Sequence, residues 1–182
     1  TITFAPDANY HGAASFNYTA SDGTDTDEGT VNLTIDSVND APVAVDDLDS
    51  SPEDTPLVIN IADLLANDSD IEDDALSVTA GSNAVNGTAV LDIGAGTITF
   101  TPNANYHGSA SFDYTVSDGT DTDEGTVNLT IDSVNDTPVV EDDLGSTTEE
   151  TALVIHVADL LANDTDVEGD ALSVTAVSDA VN

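Results

Sequence analysis

Acidic side chains form short, dense clusters in this sequence, and these clusters are the residues that could do chemistry. In the densest cluster Asp68, Asp70, Glu72 and Asp74 occupy every second position after Asn67. On a looped backbone, acids with this spacing can turn their oxygens to one side. Calcium takes about six to eight oxygen ligands from carboxylates, amides and carbonyls, and it suits flexible loops. The spacing therefore predicts a calcium-binding loop.

The same loop recurs 96 residues later as Asn163-Asp164-Thr165-Asp166-Val167-Glu168-Gly169-Asp170. Its first half resembles the start of an EF-hand loop. The glutamate required at the twelfth position is Thr175, however, and no helices are predicted on either side. An EF-hand is excluded, and two interpretations stay open, a calcium loop of another kind and an acidic solvated turn.

Further acids cluster in other predicted loops of the same repeat. They lie at Asp46 and Asp47, at Glu53 and Asp54, over 118–124 and over 132–136. Neighbouring acids in a loop repel one another, so the arrangement is costly unless a hard cation lies among them.

The overall charge makes a counter-ion necessary. The 182 residues include 37 Asp and Glu, no Lys or Arg and three His, which gives a formal net charge of −37. Such a field repels nucleic acid and anionic membranes, so neither is expected as a partner. Cys is absent, so neither a disulfide nor a thiolate metal site can form. Stability must come from an apolar core, from metal, or from both.

The chain is too apolar to be a disordered acidic tail. Hydrophobic residues make up 39% of it, yet no run approaches the roughly 18–20 residues of a membrane span. It has no initiator Met and no signal peptide. We therefore expect a segment of a longer secreted protein that does not insert into membranes.

The sequence repeats with a period of 96 residues. Thr1–Asp40 matches Thr97–Asp136 at 35 of 40 positions, and Ala41–Asn86 matches Thr137–Asn182 at 31 of 46. This predicts one complete module, 41–136, preceded by the C-terminal half of a module (1–40) and followed by the N-terminal half of another (137–182).

The two halves together lack the counterpart of Gly87–Gly96. Two interpretations stay open. The chain is either a window on a longer array, cut without regard to module edges, or a subunit whose ends complement those of the next copy.

Within the module, short runs alternate apolar and polar side chains between turn residues, which is typical of half-buried strands. Seven strands are predicted, the first near 42–47 and the others near 57–61, 75–80, 88–93, 97–102, 111–118 and 126–132. The residues predicted to face inward are Leu57, Ile59, Ile61, Leu76, Val78, Leu91, Ile93, Ile98, Phe100, Phe112, Tyr114, Val116, Val127, Leu129 and Ile131, with Leu153, Ile155 and Val157 in the second copy. Residues 62–67 could form one helical turn.

Seven short strands in about 96 residues predict an all-β immunoglobulin-like or cadherin-like Greek-key β-sandwich, repeated in tandem. In that topology the loop 68–74 joins the second and third strands, and the loop 118–124 joins the last two. Both loops lie at the end where the linker 37–42 arrives, and Pro42 favours an extended Ala41. Three acidic elements are therefore expected to meet at each junction between modules.

The linker residues carry a resemblance to a known family. Asn39-Asp40-Ala41-Pro42, repeated as Asn135-Asp136-Thr137-Pro138, resembles the Asn-Asp-x-x-Pro linker of cadherins. Asp68-x-Asp70 is similar to the cadherin Asp-x-Asp motif, and Asp118 to the single aspartate of the last cadherin hairpin.

Other motifs extend this resemblance over essentially the whole chain. Glu53 resembles the glutamate that a preceding cadherin domain contributes to the junction below it. Asp46-Asp47, Leu64-Leu65-Ala66-Asn67-Asp68, Asn105-Tyr106-x-Gly108 and Ser117-Asp118-Gly119 resemble bacterial cadherin-like repeats of the VCBS type, found in large RTX-type surface adhesins. The resemblance implies Ca²⁺ as the bound ion and an extracellular, cell-surface location.

The clusters and the resemblance together give one set of predicted calcium ligands. They are Asp36, Asn39, Asp40, Asp46, Asp47, Glu53, Asp54, Asn67, Asp68, Asp70, Glu72, Asp74, Asp118, Asp121, Asp123, Glu124, Asp132, Asn135, Asp136, Asp142, Asp143, Asp164, Asp166, Glu168 and Asp170.

Three functions are compatible with the sequence. The first is a structural spacer, in which calcium at each junction locks neighbouring repeats into a rod. The second is a filament subunit that assembles head to tail by strand or half-module complementation. The third is a glycan-binding module, although its aromatic residues fit core positions better. An enzyme is not expected, because a small sandwich with its acids in terminal loops offers no catalytic cleft.

Overall fold

A computed structural model describes residues 1–178 and 180–181. The strands of this part are β1 (Gly12–Ser21), β2 (Thr26–Ile35), β3 (Asp47–Pro52), β4 (Leu57–Asn60), β5 (Ser77–Val85), β6 (Gly87–Asp92), β7 (Thr97–Pro102), β8 (Gly108–Ser117) and β9 (Thr122–Asp132). Its helices are α1 (Ile61–Leu64) and α2 (Val157–Leu160). Neither of these single-turn helices is long or apolar enough to span a membrane.

Strands β3 to β9 form a two-layered sandwich. One sheet has the order β3-β9-β8-β5 and the other the order β4-β7-β6. All pairs are antiparallel except β3 and β9, which run parallel. This is a seven-stranded immunoglobulin-like arrangement, so the predicted fold class is confirmed.

The core lies between the two sheets. Ile98 and Phe100 of β7 meet Phe112, Tyr114 and Val116 of β8, and all five side chains are fully buried. The rings of Phe100 and Phe112 stack with centroids 5.9 Å apart. Because successive strand residues point to opposite faces, the alternation in sequence identified these inward positions correctly.

The predicted first strand, near 42–47, is wrong. Val43 makes only a two-residue bridge with Ser69, and continuous pairing begins at Asp47. The amides of Ala44 and Val45 donate instead to the carboxylates of Asp123 and Asp68. Hydrogen bonds to side chains therefore position this segment, and no backbone ladder with a neighbouring strand does.

The inward prediction for Ile93 is also wrong, because its side chain is 70% exposed. Strand β6 ends one residue earlier, at Asp92. The carbonyl of Asp92 accepts from Gly96 N (2.9 Å) and its carboxylate accepts from Ala95 N (3.0 Å), which closes a turn. The alternation of a strand no longer applies inside that turn.

The terminal segments keep the local geometry of the module. Strands β1 and β2 pair in the same register as β8 and β9, shifted by 96 residues, and α2 matches α1. The inward prediction for Leu153, Ile155 and Val157 is wrong for this structure, where they are 47%, 54% and 52% exposed. No second sheet lies over them within the described residues.

Candidate metal centre

The linker 37–42 meets two acidic loops at one end of the sandwich. The side-chain amide of Asn39 donates to Oδ2 of Asp118 (2.9 Å) and to Oδ2 of Asp121 (3.0 Å) in the β8–β9 turn. The backbone amide of Asp40 donates to Oε2 of Glu72 (3.2 Å). The expected meeting of linker and loops is thus present in the geometry.

Asp70 shapes the acidic loop from within. Its Oδ1 accepts the backbone amides of Glu72 and Asp74, both at 3.0 Å. Its Oδ2 is buried and has no hydrogen-bond partner. A carboxylate oxygen withdrawn from water without a partner is costly.

A second group of acids lies just inside the module, around the hydroxyl of Tyr114. This hydroxyl donates to the carbonyl of Val45 (3.0 Å) and to Oδ1 of Asp68 (3.4 Å). The amide of Asn67 donates to Oδ1 of Asp47 (3.2 Å). Oδ2 of Asp47 and Oδ2 of Asp68 are both buried and unpartnered. We call Asp47, Asn67, Asp68 and Tyr114 the inner cluster.

Burial changes the acidity of the inner cluster. It raises the pKa of Asp47 above its usual value, an effect that the neighbouring charge of Asp68 reinforces and the Tyr114 hydroxyl partly offsets. Burial likewise raises the pKa of Asp68. The pKa of the Tyr114 hydroxyl is also raised, mainly by burial and then by Asp47. The hydroxyl therefore stays protonated as a donor, between two carboxylates that resist being charged together.

In the β8–β9 turn Asp118 shows the opposite effect. The backbone amide of Thr120 and the side-chain amide of Asn39 hold the pKa of its carboxyl below the usual value. Asp118 is therefore stabilised in its ionised form.

The other end of the module carries a buried glutamate. Glu53 is only 3% exposed. Its Oε1 accepts the amide of Val134 (2.6 Å), at the start of the second linker, and its Oε2 is buried without a partner.

The second linker repeats the geometry of the first. The amide of Asp136 donates to Oε1 of Glu168 (3.3 Å), and the amide of Asp170 donates to Oδ1 of Asp166 (2.9 Å). Oδ2 of Asp136 and Oε2 of Glu168 are buried and unpartnered here, whereas beside the first linker the unpartnered oxygen is Oδ2 of Asp70. The arrangement of linker and loop is thus set by local sequence, because it forms here beside an incomplete module.

The remaining predicted ligands fall into other places. Oδ1 of Asp46 accepts the backbone amide of Thr126 in β9 (3.0 Å). Oδ1 of Asp54 accepts the backbone amide of Asn105, between β7 and β8 (2.9 Å). Both carboxylates are thus used in hydrogen bonds within the module. Oδ1 of Asp164 accepts the backbone amide of Glu141 (3.0 Å). This hydrogen bond is the counterpart of the one from the amide of Val45 to Oδ1 of Asp68 in the complete module. The others are exposed, namely Asp36, Asp74, Glu124, Asp132, Asn135, Asp142 and Asp143.

Sequence reasoning placed Tyr114 in the core but missed its polar contacts. A buried tyrosine hydroxyl normally needs a partner. The choice of Tyr at an inward position in both copies, Tyr18 and Tyr114, was the available signal.

The residues fit calcium by donor type and by their unpartnered oxygens. In residues 1–178 and 180–181, no three His, Asp or Glu side chains already form a group that could hold a metal ion. In the same part of the chain, six carboxylate oxygens are nevertheless buried without a partner, on Asp47, Glu53, Asp68, Asp70, Asp136 and Glu168. The chain has no Lys or Arg that could neutralise them.

Comparison with known families agrees with the fold. The sequence profile described as "Cadherin-like domain" matches residues 1–36, 38–132 and 134–182. The chain belongs to the cadherin-like domain family. No curated protein sequence matches it.

Among solved structures, this cadherin-like chain is similar to parts of larger proteins. The endo-fucoidan hydrolase MfFcnA4 from glycoside hydrolase family 107 matches with 18% identity and a TM-score of 0.36, over 74% of this chain and 22% of the hydrolase. The related MfFcnA9 matches with 17% identity and a TM-score of 0.32, over 69% and 23%. A chimeric titin Z1Z2 matches with 11% identity and a TM-score of 0.25, over 66% and 62%. The chain spans less than a quarter of either hydrolase.

Proposed function

We propose that this chain is a segment of a calcium-rigidified stalk in a bacterial surface adhesin, and that it is not an enzyme. The observation that carries the proposal is the set of buried, unpartnered carboxylate oxygens beside both linkers, in a chain with no positive Lys or Arg. Calcium would supply positive charge that these oxygens share.

The residues around the first linker have distinct roles in this proposal. Asp70 and Glu72 on the loop, with Asn39 and Asp40 on the linker, are the groups that would hold the ion. Asp118 in the β8–β9 turn adds a carboxylate that is already stabilised in its ionised form. One ion bound by residues of both the linker and the module would fix the angle between neighbouring modules. A flexible string of modules would then become a rod.

The proposal includes an extracellular, cell-surface location. Calcium sites in extracellular modules often have dissociation constants of about 10⁻⁴–10⁻³ M. Such sites fill outside cells, where calcium is millimolar, and stay empty at cytosolic concentrations.

The aromatic rings of the complete module do not favour glycan binding. Phe100, Phe112 and Tyr114 are fully buried in the module, and the Tyr106 hydroxyl is used within its own turn by the carbonyl of Ser109. These rings are part of the core and do not form a binding platform.

The test compares the chain in millimolar calcium with the chain in chelator at equal ionic strength. Calcium at about ten times the dissociation constant stabilises by about 1.4 kcal/mol per site, which raises the melting temperature by roughly 4–8 °C or more. The radius of gyration from X-ray scattering should rise as the linkers stiffen, because a rod is more extended than a flexible string of the same length. If neither value responds to calcium, the proposal is wrong; magnesium serves as the control for charge screening alone.

A further inference from the structure

Half of the asparagines in the chain begin the motif Asn-x-Ser/Thr, by which the enzymes that attach sugars to asparagine recognise their acceptor. The motif supplies the side-chain amide that receives the sugar and a hydroxyl two residues later, with any residue except proline between them. The seven motifs begin at Asn17, Asn32, Asn67, Asn86, Asn128, Asn135 and Asn163. The pattern alone does not choose among them, whereas their structural positions do.

Three of these asparagines stand next to a negative charge. Asn67, Asn135 and Asn163 are each followed directly by an aspartate. The activated sugar carries an anionic diphosphate as its leaving group, so a carboxylate one residue from the acceptor repels the donor. This repulsion acts well within the Debye length of about 8 Å at physiological ionic strength and is not screened away.

Two further asparagines are held by hydrogen bonds of the fold. The amide nitrogen of Asn86 donates to the hydroxyl of Tyr106 (2.8 Å) and to a backbone carbonyl of β8 (2.9 Å), and a sugar on that nitrogen would disrupt these bonds. The side-chain oxygen of Asn17 accepts the hydroxyl of Thr30 (2.9 Å). The equivalent of Asn17 one repeat later is Asp113, so this motif is not a feature of the repeat.

Asn128 and its counterpart Asn32 remain, both within the sequence Asn-Leu-Thr. Side chains two residues apart on a strand point to the same side, about 7 Å from each other. Asn128 and Thr130 are accordingly both exposed on the outer face of β9, while Leu129 between them is buried in the core. Within residues 1–178 and 180–181, the side-chain amide of Asn128 makes no hydrogen bond. Its nitrogen can therefore carry a sugar without loss to the fold.

The side chains beside this pair carry no charge, although the chain has 37 acids. Leu48 of β3 and Ser111 of β8 pair with Asn128 from either side, and the residues that pair with Thr130 are both serines. The side chain of Leu48 is 85% exposed. A sugar on Asn128 would cover this apolar side chain and place its own hydroxyls beside those of the serines.

We propose that Asn128, with Asn32 in the preceding copy, is an acceptor of an N-linked sugar. The side-chain nitrogen forms a bond to the anomeric carbon of the sugar, the bond from that carbon to the diphosphate breaks, and the amide gives one proton to a base of the transferase. The donor is a sugar joined through diphosphate to a nucleoside or a lipid. Strand β9 is paired along both edges, so its backbone cannot bend into an enzyme. Transfer therefore precedes folding, and the folded sheet leaves the sugar outside.

Peptide mapping of the protein isolated from the cells that produce it tests the proposal. A protease that cuts before aspartate releases residues 27–35 and 123–131 as nine-residue peptides of identical sequence, each with a single asparagine. We expect these peptides to carry the added mass of a sugar. Fragmentation that keeps the sugar on its side chain should locate it on the asparagine.

One substitution contains its own control. Thr130→Val keeps the shape of an exposed side chain and removes the hydroxyl, so the peptide 123–131 should lose its sugar. The change also alters the mass of that peptide, so the unchanged sequence at 27–35 can be measured separately in the same molecule and should keep its sugar. Thr130→Ser retains a hydroxyl and should retain the modification.

Three results would overturn the proposal. They are unmodified peptides in the wild-type protein, a sugar on the oxygen of Thr126 or Thr130, and a sugar that persists on 123–131 in Thr130→Val. Sugars on the motifs that contain aspartate, with Asn128 unmodified, would overturn the selection made from structure. None of these readouts involves calcium, so this proposal and the stalk proposal can fail separately.

Discussion

The side-chain amide of Asn39 donates a hydrogen bond to Oδ2 of Asp118, 79 positions further along the chain. The same amide reaches Asp121. One neutral linker side chain therefore supplies donors to two carboxylates of the module end and partly offsets their repulsion. The contact fixes where the linker lies before any cation is considered.

Replacing Asn39 with Ala should loosen the first linker in the metal-free chain. The lost hydrogen bonds are partly exposed, so we expect a cost of about 0.5–1.5 kcal/mol. The pKa of Asp118 should rise as well, because the Asn39 amide helps to lower it. NMR titration of Asp118 measures this directly. The equivalent change Asn135→Ala should leave Asp118 untouched, and an unchanged pKa in Asn39→Ala would contradict the assignment.

Asp70→Asn should weaken calcium binding at the first linker while leaving the module folded. The Asn carbonyl can still accept the amides of Glu72 and Asp74, so the loop keeps its shape but loses a charge. We expect affinity to fall by at least about tenfold, or about 1.4 kcal/mol, by isothermal calorimetry. Asp49→Asn removes one exposed charge from β3 and is the control, so equal losses in both variants would point to the general field alone.

The metal-free chain should become more stable as pH falls from neutral. Burial raises the pKa of Asp47 and of Asp68 above the ordinary value of 3.8. An acid with a raised folded pKa binds its proton more tightly in the folded state. Its stabilising contribution is complete below about 3.8 and is lost as pH rises through the raised pKa. Thermal melts in chelator, at a series of pH values from neutral down to about 3.8, measure this change in stability.

Two comparisons make the pH prediction specific. Asp68→Asn should flatten the trend and raise the neutral-pH melting temperature in chelator, because it removes one of two neighbouring buried charges. In calcium the trend should reverse, since protonation competes with the metal. A wild-type melting temperature that falls on mild acidification in chelator would contradict the account.

Phe112→Ala should destabilise the complete module by about 3–5 kcal/mol, the usual cost of truncating a fully buried Phe. Phe16 is the same residue of the repeat in a half-module, where it is only half-buried. Phe16→Ala should therefore leave the main unfolding transition in urea unchanged. Similar losses in the two variants would show that residues 1–36 unfold together with the module.

The sequence predicted the sandwich because alternation is a direct consequence of strand geometry. The alternation did not predict β3, because the residues Asp47–Pro52 are mostly polar and have the composition of a loop. That strand forms by pairing with β9, which is a long-range property that no local pattern contains. The inward prediction for Ile93 was wrong for a related reason, because the alternation in sequence continues past Asp92, where β6 ends.

The candidate site was partly predictable for similar reasons. Topology placed the linker and the two acidic loops at one end. It could not separate Asp70, which accepts amides within its own loop, from Asp68, which belongs to the inner cluster and accepts the amide of Val45, because that depends on the path of residues 42–47. The role of the Tyr114 hydroxyl depends on the same path.

The parallel pairing of β3 with β9 has a mechanical consequence. The chain enters the module at the start of β3 and leaves at the end of β9, so a pull on the two linkers draws these strands in opposite directions along their length. Six residue pairs between Asp47 and Pro52 are then loaded together in shear, instead of being opened one at a time. The module therefore resists stretching at the β3–β9 pairing, which the alternation of apolar and polar residues does not predict.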